Sequence, residues 1–343
     1  MKKNNRIALY DNWKFFLIFS VVLVHMFSPS RSESVGLTQN IFCNSFCVLI
    51  HLYVIPSFFF ISGYFSSVDV NESSIKNILN QVLVPYIFFE LIFNALFPKS
   101  VLPNYSLIEP FYHLWFIGLL FLYRIIAPWV RNTNIIGFIV VIILISCISH
   151  LEVKSMMWGS WNFVKYFPYF LIGMWFKKKN MDVSVYQFSS VLKFSSLLFL
   201  IISFYLIFVL KIDFLEVLAD GSSSRELTGL PLLIEKYSYL DSFIRDFVFR
   251  IFTVLLSICV FIIIPRKKIW VSEYGSNTLY PYLLHPIIMN ILVQNFGFYK
   301  NEGDIFLIFL FIISFLITIF LSMNFVVTPF KKLFNYLSGK LID

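Results

Sequence analysis

Apolar runs of near-span length recur along this chain, and they are continuous rather than alternating. A spanning helix needs about 20 predominantly apolar residues, whereas barrel strands alternate polar and apolar positions. Runs that meet or approach that length lie at 8–28, 41–66, 78–97, 111–130, 134–150, 161–177, 189–211, 244–265, 276–297 and 304–328. They predict an all-α integral membrane protein, a bundle of about ten transmembrane helices. Composition agrees: 59% of residues are hydrophobic and 13% charged, against about a quarter charged in a soluble domain. The bases sit in short clusters between the runs, so the net charge of +8 reads as a topology signal and excludes a nucleic-acid face.

Lys and Arg set the orientation. With the N-terminus inside, Lys2, Lys3, Arg6, Lys76, Arg131, the cluster Lys177–Lys179, the cluster Arg266–Lys268, Lys331, Lys332 and Lys340 all face the cytoplasm. The opposite loops hold more acids, most of them at 212–243. The chain is expected to run N-in and C-in, as one transmembrane domain over residues 1–343. MKKNNR followed by a full-length apolar run, without a small-residue cleavage site, reads as a retained first span. The four Cys (43, 47, 147 and 259) read as small buried hydrophobes, and no metal-ligand spacing is visible. No internal repeat is visible either, which speaks against an inverted-repeat transporter.

Ionisable residues inside a bilayer are rare and mark function. In DNWKFFLIFSVVLVH (11–25), His25 follows Lys14 by eleven residues. That is about 16 Å of rise and a return to within about 20° of the starting face. Asp11 lies on the same stripe, one turn below Lys14. The alternative for these residues is an interfacial ion pair at one end of the span and an interfacial histidine at the other. Span three carries Glu90 and, one turn on, Asn94. Span four, FYHLWFIGLLFLYR, repeats the eleven-residue spacing in reverse, with His113 outer and Arg124 inner. Two such helices side by side would line a path with a cationic inner end, suited to a phosphorylated ligand from the cytoplasm, and an imidazole-rich outer end. Span nine holds His285 between Pro281 and Pro286, where a break or bend is expected.

DNWKFFLIFSVVLVH (11–25), IPSFFFISGYF (55–65), HLWFIGLLFLYR (113–124), FPYFLIGMWF (167–176) and TLYPYLLHPII (278–288) together resemble the acyltransferase-3 family of membrane O-acyltransferases, in the branch of the fucose 4-O-acetylases. Lys14 stands where many members have Arg. The resemblance implies a bacterial plasma-membrane enzyme. It would take an acetyl (acyl) group from cytoplasmic acetyl-CoA, with no metal, and deliver it to a hydroxyl of a cell-surface sugar or polysaccharide, lipid-linked or part of a glycan-assembly machinery. Transfer would be completed within the membrane unit. On that reading Asp11, Lys14 and Arg124 bind the donor, and Glu90 and His285 face the substrate. His25 is the general base, with an acyl-His intermediate as the alternative. Asp11 is about 21 Å from His25 on a straight helix, so the partner of His25 must come from another helix. His113 and Asn94 lie nearest in depth. The rival function is a glycan exporter or flippase with the same polar path and no transfer chemistry.

Overall fold

A computed structural model describes residues 7–27, 41–66, 71–96, 110, 113–130, 136–141, 160–212, 238–296 and 304–342. Among them there is no β-strand, and the regular elements are helices. In order they are α1 (Ala8–Phe27), α2 (Ile41–Phe65), α3 (Glu72–Ile78), a π-helical turn (Leu79–Leu83), α4 (Val84–Leu96), α5 (Trp115–Val130), α6 (Ser160–Lys178), α7 (Ser190–Leu210), α8 (Ser238–Ile263), α9 (Leu279–Phe296), α10 (Asp304–Ser322) and α11 (Asn324–Ile342). Short 3₁₀ turns occupy Val183–Val185 and Trp270–Ser276. Four helical runs are long and apolar enough to cross a membrane alone: α1, α2, Glu72–Leu96 and α7. The bent pair α10–α11, with 49° between its halves, makes up to five. Of the expected run 134–150, only 136–141 is described, as helix, and most of the acidic loop, 213–237, lies outside the described residues.

The chain divides into two compact units, Met1–Phe58 with Val183–Val327, and Phe59–Asp182 with Thr328–Asp343. In the first, α1 packs against α9, α10 and the 270–276 turn, and α7 against α8. The sides of these helices are inverted relative to a soluble protein. α7 buries Ser196, Ser203 and Ile207 and exposes Val191, Ile201, Ile202, Leu206 and Val209. On α10, Ser314, Thr318 and Ser322 are buried, and each hydroxyl donates to the carbonyl four residues back. Small and polar residues inward with apolar residues outward is the arrangement a lipid solvent favours.

In the second unit, α2 crosses α6 at two glycines. A Cβ on Gly63 would collide with the Phe170 carbonyl, and one on Gly173 with the Phe60 carbonyl. Only glycine permits that backbone approach. Around the crossing, Phe59 packs its ring on Phe116, Tyr123 and Tyr166.

The π turn between α3 and α4 has a cause in the sequence. Pro85 has no N–H for the Gln81 carbonyl and its ring would press on it, and the helix widens there, with Val84 N–H donating to the Leu79 carbonyl. On an unbroken α-helix, Ser74 and Phe93 would sit about 100° apart; one extra residue in the turn removes roughly that offset. Both are buried. Pro286, where a break or bend is expected from the sequence, lies within a continuous helix, as does Pro56 of α2.

Candidate functional site

α1 begins with a cluster of polar side chains tied to a distant loop. Asn12 Nδ2 donates to the carbonyls of Pro265 (2.7 Å) and Lys267 (3.0 Å), and its Oδ1 accepts from Ser272 Oγ. Ser272 Oγ in turn accepts from Ile269 N–H at 2.9 Å. Gly275 lies against the Asp11 backbone with no room for a Cβ. The basic segment 266–268 is therefore clamped to the first turns of α1. Asp11 pairs with Lys14 at 3.4 Å. The Arg266 guanidinium lies over the rings of Phe188 (4.4 Å) and Phe261 (5.4 Å), and none of its nitrogens has a hydrogen-bond partner. Burial against those rings lowers its pKa from the ordinary arginine value.

Toward the other end of α1, His25 meets α9. Its Nδ1 lies 2.7 Å from His285 Nε2, with ring centroids 4.8 Å apart. His285 is fully buried, and its Nδ1 lies 2.7 Å from the Pro281 carbonyl. A carbonyl only accepts, so His285 Nδ1 carries a proton. In the neutral ring its Nε2 then holds a lone pair, and His25 Nδ1–H must donate to it. His25 is thereby fixed as the Nδ1–H tautomer, with its own lone pair on Nε2. Pro286 supports this arrangement: lacking an N–H, it removes the helical donor of the Tyr282 carbonyl, which is a second backbone contact of the His285 ring.

The structure brings His25 to His285, for which the family resemblance implies a place facing the substrate. Asp11, Lys14, His25 and His285 all belong to the first unit; Glu90, Asn94, His113 and Arg124 belong to the second. Glu90 is buried on α4, whereas Asn94, one turn on, is exposed. His113 is buried beside the Phe93 ring, centroids 5.2 Å apart. Arg124 lines a cavity of about 210 Å³ with Phe65, Ser66, Ser74, Asn77, Ile78 and Gln81.

Two features escaped the sequence argument. Asn12 stands next to the conspicuous Asp11, and a polar amide one turn inside an apolar run was the available clue. Lys165, on α6, is buried at 8% exposure, and as a base within an apolar run it carried the same mark.

A family model described as an acyltransferase domain matches residues 7–326 of the 343. No curated protein and no solved structure matches the chain. The match takes in both units, the Asp11–His25 segment and the His285 helix, and by it the chain belongs to the acyltransferase-3 family of membrane acyltransferases.

Proposed function

We propose that this membrane acyltransferase is an O-acetyltransferase of the fucose 4-O-acetylase branch, moving an acetyl group from cytoplasmic acetyl-CoA to a hydroxyl of a cell-surface sugar or polysaccharide. The observation that carries the reading is the chain His25 Nδ1, His285 Nε2, His285 Nδ1, Pro281 carbonyl. It holds one imidazole in one tautomer, as a general base requires. In the proposed step, His25 Nε2 takes the proton of the acceptor hydroxyl, and the oxygen attacks the thioester carbonyl. The carbon–sulfur bond breaks, and the departing sulfur receives the proton from His25. His285 is a positioning residue in this account. Lys14, held by Asp11, and Arg124 serve the anionic donor at the cytoplasmic end, and Glu90 and His113 serve the acceptor side.

This reading places the protein in a bacterial plasma membrane with about ten spans, N-in and C-in, the span count following from length. An exporter of the same topology would have no use for a tautomer-locked imidazole. The test is to supply acetyl-labelled CoA to the cytoplasmic face of vesicles and follow label into extracytoplasmic glycan. Transfer that falls by about 10²- to 10⁴-fold in His25→Ala at normal protein level is expected. Full transfer by that variant removes His25 as base, and glycan export without any label supports the exporter.

A further inference from the structure

The cavity beside Arg124 combines features that a plain packing defect does not. Its walls come from three places in the second unit: the end of α2 (Phe65, Ser66), one face of α3 and the π turn (Ser74, Asn77, Ile78, Gln81), and α5 (Arg124). Five of these seven residues have polar side chains, and the only charge among them is the guanidinium. Among the described residues no carboxylate lines it. The Arg124 Nε is buried and has no hydrogen-bond partner. A buried guanidinium N–H left unsatisfied is costly, and the natural remedy is an anion with several acceptor oxygens.

Size narrows the class of ligand. At about 30 Å³ per water, about 210 Å³ holds roughly seven waters. That accommodates a phosphate-sized group and falls below the roughly 300 Å³ at which pockets for whole small molecules begin. A ligand would place one group here and leave the rest outside. The amides of Asn77 and Gln81 provide neutral donors around the guanidinium, whereas the hydroxyls of Ser66 and Ser74 donate to the carbonyls of Ser62 and Asn71; neutral donors beside one cation suit a tetrahedral oxyanion that must be held without a second formal charge.

The register of the wall is set by Pro85. Ser74, Asn77, Ile78 and Gln81 are spaced three, one and three residues apart, so they share one side of the helix, and Gln81 falls within the π turn that Pro85 imposes. π turns of this kind are concentrated at functional sites.

We propose that the Arg124 cavity is a phosphate subsite, in which Arg124 supplies the charge and Gln81 and Asn77 supply neutral hydrogen bonds to a phosphate group of the acyl donor. This deepens the acetyl-CoA reading and rests on it for the identity of the donor; the phosphate chemistry itself rests on the cavity. The same chemistry fits the phosphate of an anionic lipid headgroup, and the experiment separates the two sources.

The full-length protein is purified, and binding of coenzyme A and of pantetheine, which lacks the phosphates, is measured by calorimetry. Wild type, Arg124→Gln, Arg124→Lys and Gln81→Leu are compared, with thermal unfolding confirming that each variant is folded. Coenzyme A affinity is expected to fall about thirtyfold in Arg124→Gln and about fivefold in Gln81→Leu, with partial recovery in Arg124→Lys, while pantetheine binding stays unchanged. Equal losses for both compounds, or no loss for either, overturn the subsite while leaving the acetyl-CoA reading intact. In parallel, native mass spectrometry counts retained phosphatidylglycerol in wild type and Arg124→Gln. If lipid is lost from the variant and coenzyme A does not displace it from wild type, the phosphate belongs to the membrane and the donor subsite is overturned. If wild type binds no coenzyme A at all and inorganic phosphate still protects it thermally through Arg124, the donor reading fails and the anion site alone stands.

Discussion

At the scale of single residues, most of the chemistry in the first unit passes through two amide or imidazole side chains that each satisfy more than one partner. Asn12 makes three hydrogen bonds to the segment 265–272. Replacing it with Leu strands two carbonyls and a hydroxyl, and at about 1 kcal/mol per net bond the folded protein should lose about 3 kcal/mol. A lowered thermal midpoint in detergent checks this. His285 offers a different signature. Replacing it with Gln keeps a side-chain oxygen that can accept from His25 Nδ1–H, whereas Ala leaves none. His285→Ala is expected to lower kcat about a hundredfold with little change in KM, and His285→Gln to recover most of it. A purely structural histidine would show no such recovery. The sequence already announced His25 through its spacing from Lys14. It could not announce His285 as the partner, because the two are 260 residues apart. Periodicity tells which way a side chain faces, and the neighbour on that side is decided by how helices pack.

At the scale of elements, α1, α2 and α7 fall within a few residues of the apolar runs that define them, because in lipid the length of a run and the length of a helix are the same quantity. The extra helical turn at 72–78, the π turn and the 3₁₀ turn at 270–276 were not legible. They depend on a single proline, a capping box at Asn71 with Ser74, and contacts with α1, none of which alters hydropathy. α11, which follows α10 after a sharp bend, is too mixed in character to register as a span. The α2–α6 crossing makes an element-level prediction. Gly63→Ala and Gly173→Ala should each cost about 1–3 kcal/mol of stability, since backbone must move to admit the methyl group. Gly339→Ala is the control: nothing lies within 4 Å of its added Cβ, and removing a helical glycine there should raise stability by about 0.5–1 kcal/mol. Unfolding midpoints of the three variants give the comparison.

At the scale of the whole molecule, both α2 and α11 run across the boundaries that divide the chain into its two units, at 58 and 327. The polar residues singled out from the sequence are shared evenly between those units. The topology reading makes a prediction of its own. In a cysteine-free background, Lys3→Cys and Lys340→Cys should resist a membrane-impermeant maleimide in intact cells, and Ser222→Cys should react. The opposite pattern inverts the orientation.

The histidine pair has a consequence for the traffic of protons. The line that starts at His25 runs through His285 and stops at the Pro281 carbonyl, and an amide oxygen is no base at ordinary pH. Along this line a proton taken from an acceptor hydroxyl can be shared between the two rings and is not passed on to the carbonyl. In the proposed reaction it returns the way it came and leaves on the departing sulfur. The proton is thus borrowed and given back within one turnover: the reaction moves no proton across the bilayer, and its rate should be indifferent to the membrane potential.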